Sequence, residues 1–323
     1  MSILSRTGTD TNDFILLRGA GTESIMQKVE TTTTGDNPTS RANHNAGNYA
    51  FCFGERNTLY SGASGAGAFG GLINIYGENT FGFGYKVWNY ENQSLCGGYN
   101  VSSYARESIV WGDSITITEA SGGHSENPRQ NAIFGGAHTI SGRNTRNNLI
   151  CGSGHTIGTY FRWSLICGLN NNVSSGNYNI IAGQDHTIGS SFEYSIATGK
   201  AHSIGKNVQY CNIFGGTGNT LGNYLSDVTV FGHQNNVSAG SSASSPRGDI
   251  YLFGAHLKAN KSNLVAFGKY NVSNSDSIFE IGNGSSDNSR LNAFRVGYNS
   301  TDGYFLCINN VKLTATKLQQ LIS

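Results

Sequence analysis

The chain has 323 residues, a formal net charge of +1 and only 13% charged residues, a balance that gives no electrostatic footing for nucleic acid or an acidic membrane surface. With 44 glycines, 3 prolines and 11% aromatics, it does not read as a charged disordered chain; it reads as many short strands joined by tight turns. No run approaches the roughly 18 apolar residues of a membrane span, and no apolar core of signal-peptide length follows Met1, so assembly in the cytoplasm without membrane insertion is expected. The six cysteines, Cys52, Cys96, Cys151, Cys167, Cys211 and Cys307, contain no CxxC pair and are expected as buried reduced thiols.

Residues 1–47 follow no repeat and read as an attachment segment and linker. Within them FILLRGAGTESIMQKVE predicts a strand and a short helix, and TTTTGDNPTS a linker. From residue 48 to 284 the chain is periodic. Short apolar runs end on a glycine at Gly54, Gly97, Gly112, Gly135, Gly152, Gly168, Gly183, Gly199, Gly216, Gly232, Gly254, Gly268 and Gly282. From Gly135 to Gly232 the steps are 17, 16, 15, 16, 17 and 16 residues. Each repeat predicts a short strand, a turn, a second short strand and a second turn. Glycine recurs too often for helices, and the period is too short for a propeller blade. The fold class predicted is all-β: a parallel β-solenoid or β-roll whose coils of about 16 residues stack by backbone hydrogen bonds. Two short strands enclose a thin core, so burial of the remaining face against further copies of the chain, most simply as a homotrimer, is expected.

Three residues after the anchor glycine stand His138, His155, His186 and His202, and in other coils Asn171, Asn219 and Asn235. Metal ligands must converge on one point. A column spreads them along an axis, so a structural polar ladder without metal is the expectation. Trp163, Tyr178 and Tyr194 lie five residues before their glycines and Tyr210 six before, which predicts a second, aromatic ladder that stabilises the coils by stacking, or binds sugar if exposed. Cys96, Cys151 and Cys167 are read as small core residues in the slot before the glycine.

Two steps are wider than the rest, Asp113 to Gln130 and Ala239 to Asp249, and predict protruding loops. Asp113, Glu119, His124 and Glu126 in the first, and Arg247 and Asp249 of the RGD triplet in the second, are the candidate ligand-binding residues. A pair of carboxylates is what a glycosidase requires, but no GxSxG, HExxH or repeated acid pair occurs, so neither a catalytic set nor a cofactor is predicted. The GAGAFG run at Gly65–Gly70 matches a nucleotide-loop pattern only because glycine is abundant.

Runs such as NIIAGQDHTIGSSFEYSIATGKAHSIG resemble the head repeats of YadA-like trimeric adhesins, also found in phage fibres. The resemblance covers about residues 48–284 and implies a left-handed parallel β-roll in which three chains wrap together. Residues 285–323 leave the repeat: FRVGY and YFLCI predict strands about a turn, and Thr314 predicts the cap of a final helix carrying Leu318, Leu321 and Ile322 on one face. This segment reads as a cap over the last coil. Together these features predict a structural and adhesive fibre of a phage or prophage-like particle. It would join other virion proteins through its N-terminus and bind a host-surface glycan or receptor. A tailspike-type depolymerase and a bacterial surface adhesin are the alternatives.

Overall fold

The computed structural model describes residues 49–119 and 126–323, with residues 25–26, 44–45 and 47. The strand-and-helix reading of the first segment and the linker after it fall outside the described residues, except that Ile25–Met26 forms a strand paired in parallel with Phe51 and Cys52. The chain divides into two compact units, one ending at Arg162 and one beginning at Trp163. Each is a parallel β-solenoid of about 16-residue coils.

In the second unit Ile180–Gln184 pairs in parallel with Ile196–Lys200, Gly183 opposite Gly199. Thr187–Ile188 pairs with Ser203–Ile204. A third pairing, Phe192–Glu193 with Val208–Gln209, corrects the two-strand coil expected from sequence. Its cause lies in the corners. Asp185, Ser191 and Tyr194 all take φ between +51° and +58°, so one coil turns three times through the left-handed region. A 14-residue coil of the first unit, Tyr85 to Gly98, has two such non-glycine corners, Lys86 and Gln93. The extra two residues of a longer coil supply the third corner and the third short strand.

Alternation along the anchor strand divides core from surface. Two residues before the glycine, Val110, Ile133 and Ile150 in the first unit and Ile166, Ile181 and Ala197 in the second are fully buried, as is Ile213, three before Gly216 because Gly215 is inserted. The flanking residues of the same strands point outward and are also apolar. In the first unit the column just before the glycine holds Phe53, Phe69, Phe83, Gly97, Trp111 and Phe134 in register. In the second unit Phe214, Phe231, Phe253 and Phe267 stack with centroids 4.8, 5.2 and 4.9 Å apart. Neither aromatic column was resolved by the sequence analysis.

The register also corrects one anchor. Gly98, not Gly97, aligns with Gly84 and Gly112. Cys96 therefore occupies the buried core slot, whereas Cys151 and Cys167 stand half-buried in the outward column. Cys52, Cys96, Cys211 and Cys307 are free and buried. Gly70 and Gly84 are additional anchors, hidden in sequence by the density of glycine around them.

The last parallel rung is Ser277–Asn283. Asn292–Asn299, Gly303–Ile308 and Val311–Thr314 then continue as an antiparallel meander. Glu280 enters the core column opposite Ala266 and is fully buried, accepting from Asn271 Nδ2 at 2.5 Å and the Asn274 amide at 2.9 Å. The change of strand direction stops parallel addition at this edge. Ala315–Ile322 is helical, and Thr314 accepts from the Lys317 amide as its N-cap, as predicted. Leu318, Leu321 and Ile322 remain exposed. Among the described residues no helix is long and apolar enough to cross a membrane.

Candidate functional site

The His and Asn columns are buried. His138 and His155 in the first unit, and Asn171, His186, His202, Asn219 and Asn235 in the second, are at most 1% exposed. Each histidine places Nε2 on the carbonyl four residues before it, at 3.2 Å for His138, 2.9 Å for His155, 3.4 Å for His186 and 2.8 Å for His202. Three of the four accept, through Nδ1, the amide of the matching residue in the next coil: His155 on His138, His202 on His186 and Asn219 on His202, at 3.1–3.3 Å.

This pattern fixes the proton. A ring nitrogen that accepts from an amide carries no hydrogen, so the imidazoles of His138, His186 and His202 are neutral with hydrogen on Nε2. Asparagine fits the same slot because Oδ1 accepts and Nδ2 donates. Asn171 Oδ1 accepts the His186 amide at 3.1 Å, and Asn235 donates to Phe231 and Gly254 carbonyls. Burial lowers the basicity of all four histidines, most for His186, to about 4, with the stacked His202 ring adding to it. Both ring nitrogens of these three histidines are committed to backbone, which leaves no lone pair for a metal. Among the described residues no group of three His, Cys, Asp or Glu could hold one.

The loop candidates separate. Asp113 belongs to the coil, in register with Gly136, and accepts from its neighbour Ser114 at 2.8 Å. Glu119 is exposed just beyond the strand Thr116–Ile117. Glu126 pairs with Arg143 at 2.7 Å. His124 lies outside the described residues. The inserted segment is shorter than expected, since Arg129 already stacks between Arg106 and Arg146. Arg247 and Asp249 also sit in the coil rather than on a loop. Arg247 and Gly248 pair with Leu225 and Ser226, and the Arg247 guanidinium donates to the Ser238 carbonyl at 3.0 Å. The excursion is the serine-rich turn before them, closed by a Ser242–Ser245 bridge.

The predicted aromatic ladder is present in the second unit. Trp163, Tyr178, Tyr194 and Tyr210 stack at 5.0, 4.9 and 5.2 Å with ring planes within 11°. The extra residue before Gly216 is taken up by the adjacent Gly215, so Tyr210 keeps the column. All four residues have φ near +50°, a region costly for bulky side chains, while Asp227 and Asn263 take the same backbone elsewhere in that unit. Stacking, worth about 0.5–1.5 kcal/mol per pair, offsets a backbone cost of about 1–2 kcal/mol per residue. Tyr194→Asn is therefore expected to leave stability within about 1 kcal/mol of the parent; a larger fall in a urea titration would show that the rings carry more than their own backbone cost. A second ladder, Tyr60, Tyr76, Tyr90 and Tyr104 at 3.9, 4.8 and 4.1 Å, lies in the first unit. Its spacing of 16, 14 and 14 residues was the signal that could have found it.

No protein-family model matches the chain, and no curated protein is detectably similar to it.

Proposed function

We propose that this chain is a structural and adhesive fibre protein of a phage or prophage-like particle, assembled as a homotrimer in the host cytoplasm and binding a host-surface glycan or receptor without catalysis. The supporting observation is the outward apolar face of the anchor strands. Trp111 and Phe134 in one unit, and Phe231 and Tyr251 in the other, are each 40–45% exposed. In each unit taken by itself, an exposed apolar strand face of this kind marks an interaction site. A repetitive column on a rigid solenoid is best matched by the same column on another copy, because rung spacings then agree along the whole contact. Three copies close such a contact around one axis. The resemblance to YadA-like head repeats points to the same arrangement, and the N-terminal segment is the proposed joint to other virion proteins.

Native mass measurement should give three copies, and Phe231→Asp should shift the distribution toward smaller species, since a carboxylate in the closed interface would be desolvated without a partner. A well-folded monomer of the parent chain at micromolar concentration would sink this reading.

A further inference from the structure

The third side of the first unit carries a feature that the fold does not require. Arg106, Arg129, Arg146 and Arg162 occupy one repeat position in successive coils and are bridged in parallel, each to the next. Their backbones are fixed as rungs: the Arg106 amide donates to the Pro128 carbonyl at 2.8 Å, Arg129 to Thr145 at 3.2 Å and Arg146 to Phe161 at 3.0 Å. Like charges on facing positions of neighbouring strands repel, and desolvation first, then the field of Arg162 and Arg129, lowers the basicity of Arg146. In the second unit the same repeat position is internally matched. Asn177 and Gln209 both donate to the Glu193 carboxylate, each at 3.2 Å. Neutral amides bridged by one acid thus satisfy the column, so four arginines are not a folding necessity.

Next to the column stands Tyr160, 39% exposed, with the guanidiniums of Arg143 and Arg162 at 5.3 and 5.5 Å from its ring. Two acids lie alongside. Glu107 pairs with Arg106 at 3.3 Å, and Glu126 with Arg143.

We propose that Arg106, Arg129, Arg146 and Arg162, flanked by Tyr160, form a linear anion-binding strip that takes an acidic polysaccharide lying along the solenoid. Rungs about 4.8 Å apart set four guanidiniums along ~14 Å, a line that suits a chain bearing carboxylate, sulfate or phosphate groups at intervals. Guanidinium grips such groups through paired hydrogen bonds, and the tyrosine offers an apolar surface to a sugar ring. A nucleic acid is disfavoured, because the net charge of +1 supplies no long-range positive field. The strip deepens the reading of the protein as a glycan-binding fibre, and rests on it for biological context.

The test uses the full-length chain against immobilised polygalacturonate, heparin, neutral dextran and duplex DNA. Binding to one or both acidic polysaccharides, weakening with salt, and none to dextran is expected. A response to polygalacturonate alone assigns carboxylates, and one to heparin alone assigns sulfates. Arg129→Gln with Arg146→Gln should lower affinity at least tenfold while leaving the melting temperature equal or higher, because mutual repulsion is relieved. Should that pair fail to fold, Arg129→Lys with Arg146→Lys keeps the charges, loses the paired hydrogen bonds, and should still weaken binding several-fold. Unchanged affinity in the folded variant, equal binding to dextran, no binding to either acidic polysaccharide, or a preference for DNA would overturn the strip. None of these outcomes depends on the copy number by which the fibre reading itself is tested.

Discussion

Gly183→Ala is expected to destabilise the second unit by on the order of 4 kcal/mol, among the largest effects a single methyl group can have. Gly183 has φ +135°, and a Cβ there would meet the Gly199 carbonyl oxygen at 2.0 Å and His186 Nε2 at 2.8 Å. Two penalties combine. The backbone region belongs to glycine, and the obstacle is a strand carbonyl held by the next coil, not a side chain that can rotate away. Gly215 is the internal control. Its φ is +71°, but nothing lies within 4 Å of the added carbon, so Gly215→Ala should cost only about 1 kcal/mol. Urea titrations of the two variants measure the difference. Equal midpoints would mean that the coils separate readily enough to admit a methyl group, contrary to the packing described.

Acidification below pH 6.5 should weaken the protein. His186 is lowered from an ordinary 6.5 to about 4, first by burial and then by the His202 ring 4.8 Å away, against smaller upward pulls from the Ala182 carbonyl and Asp185. Between those two values the unfolded chain holds a proton that the folded chain refuses. The stability is therefore complete above pH 6.5, falls as pH drops toward 4, and amounts to roughly 3 kcal/mol from this residue at 1.36 kcal/mol per pH unit. His138, His155 and His202 act in the same direction. Protonation would also aim an Nδ1 hydrogen at the His202 amide, which already donates there. His186→Asn should keep most of the stability at neutral pH, because asparagine makes the same two kinds of contact in this column, and should flatten the profile between pH 6.5 and 4. A His186→Asn variant with an unchanged acid slope would show that the titration belongs elsewhere.

These two effects mark what was readable in the sequence. The period, the anchor glycines from Gly112 onward, the placement of His and Asn in one column, and the tyrosine ladder followed from spacing alone, since a stacked coil repeats its chemistry at a fixed interval. Thr314 was legible as a cap because helix ends use local chemistry. Burial of the polar column was not, since His and Asn are usually surface residues and only a backbone that presents one carbonyl and one amide to each side chain makes their burial affordable. The third corner was missed because Ser191 and Asn207 look like ordinary turn residues. Gly70 was missed because GASGAGAFGG offers too many candidate anchors, and Gly84 because Gly82 stands two residues before it. The arginine column escaped notice because its four members are separated by 23, 17 and 16 residues, and the uneven first interval conceals that they share one side. Loop boundaries failed most clearly at Arg247 and Asp249, where the chain re-enters the stack earlier than the glycine count implied.

Because each rung of the second unit is bonded only to the coil before and the coil after, the chain from one anchor glycine to the next is a removable cassette. Cutting out residues 184–199 would bring Gly183 and Lys200 together, leaving Gly183 facing Gly216 as Gly199 does now, and His202 would meet Asn171 where His186 stands. Length in such a molecule is quantised. Recombination between coils can lengthen or shorten it by one strand spacing at a time, with every neighbour relation preserved. A gene of this design can change the reach of its product without having to invent a new sequence.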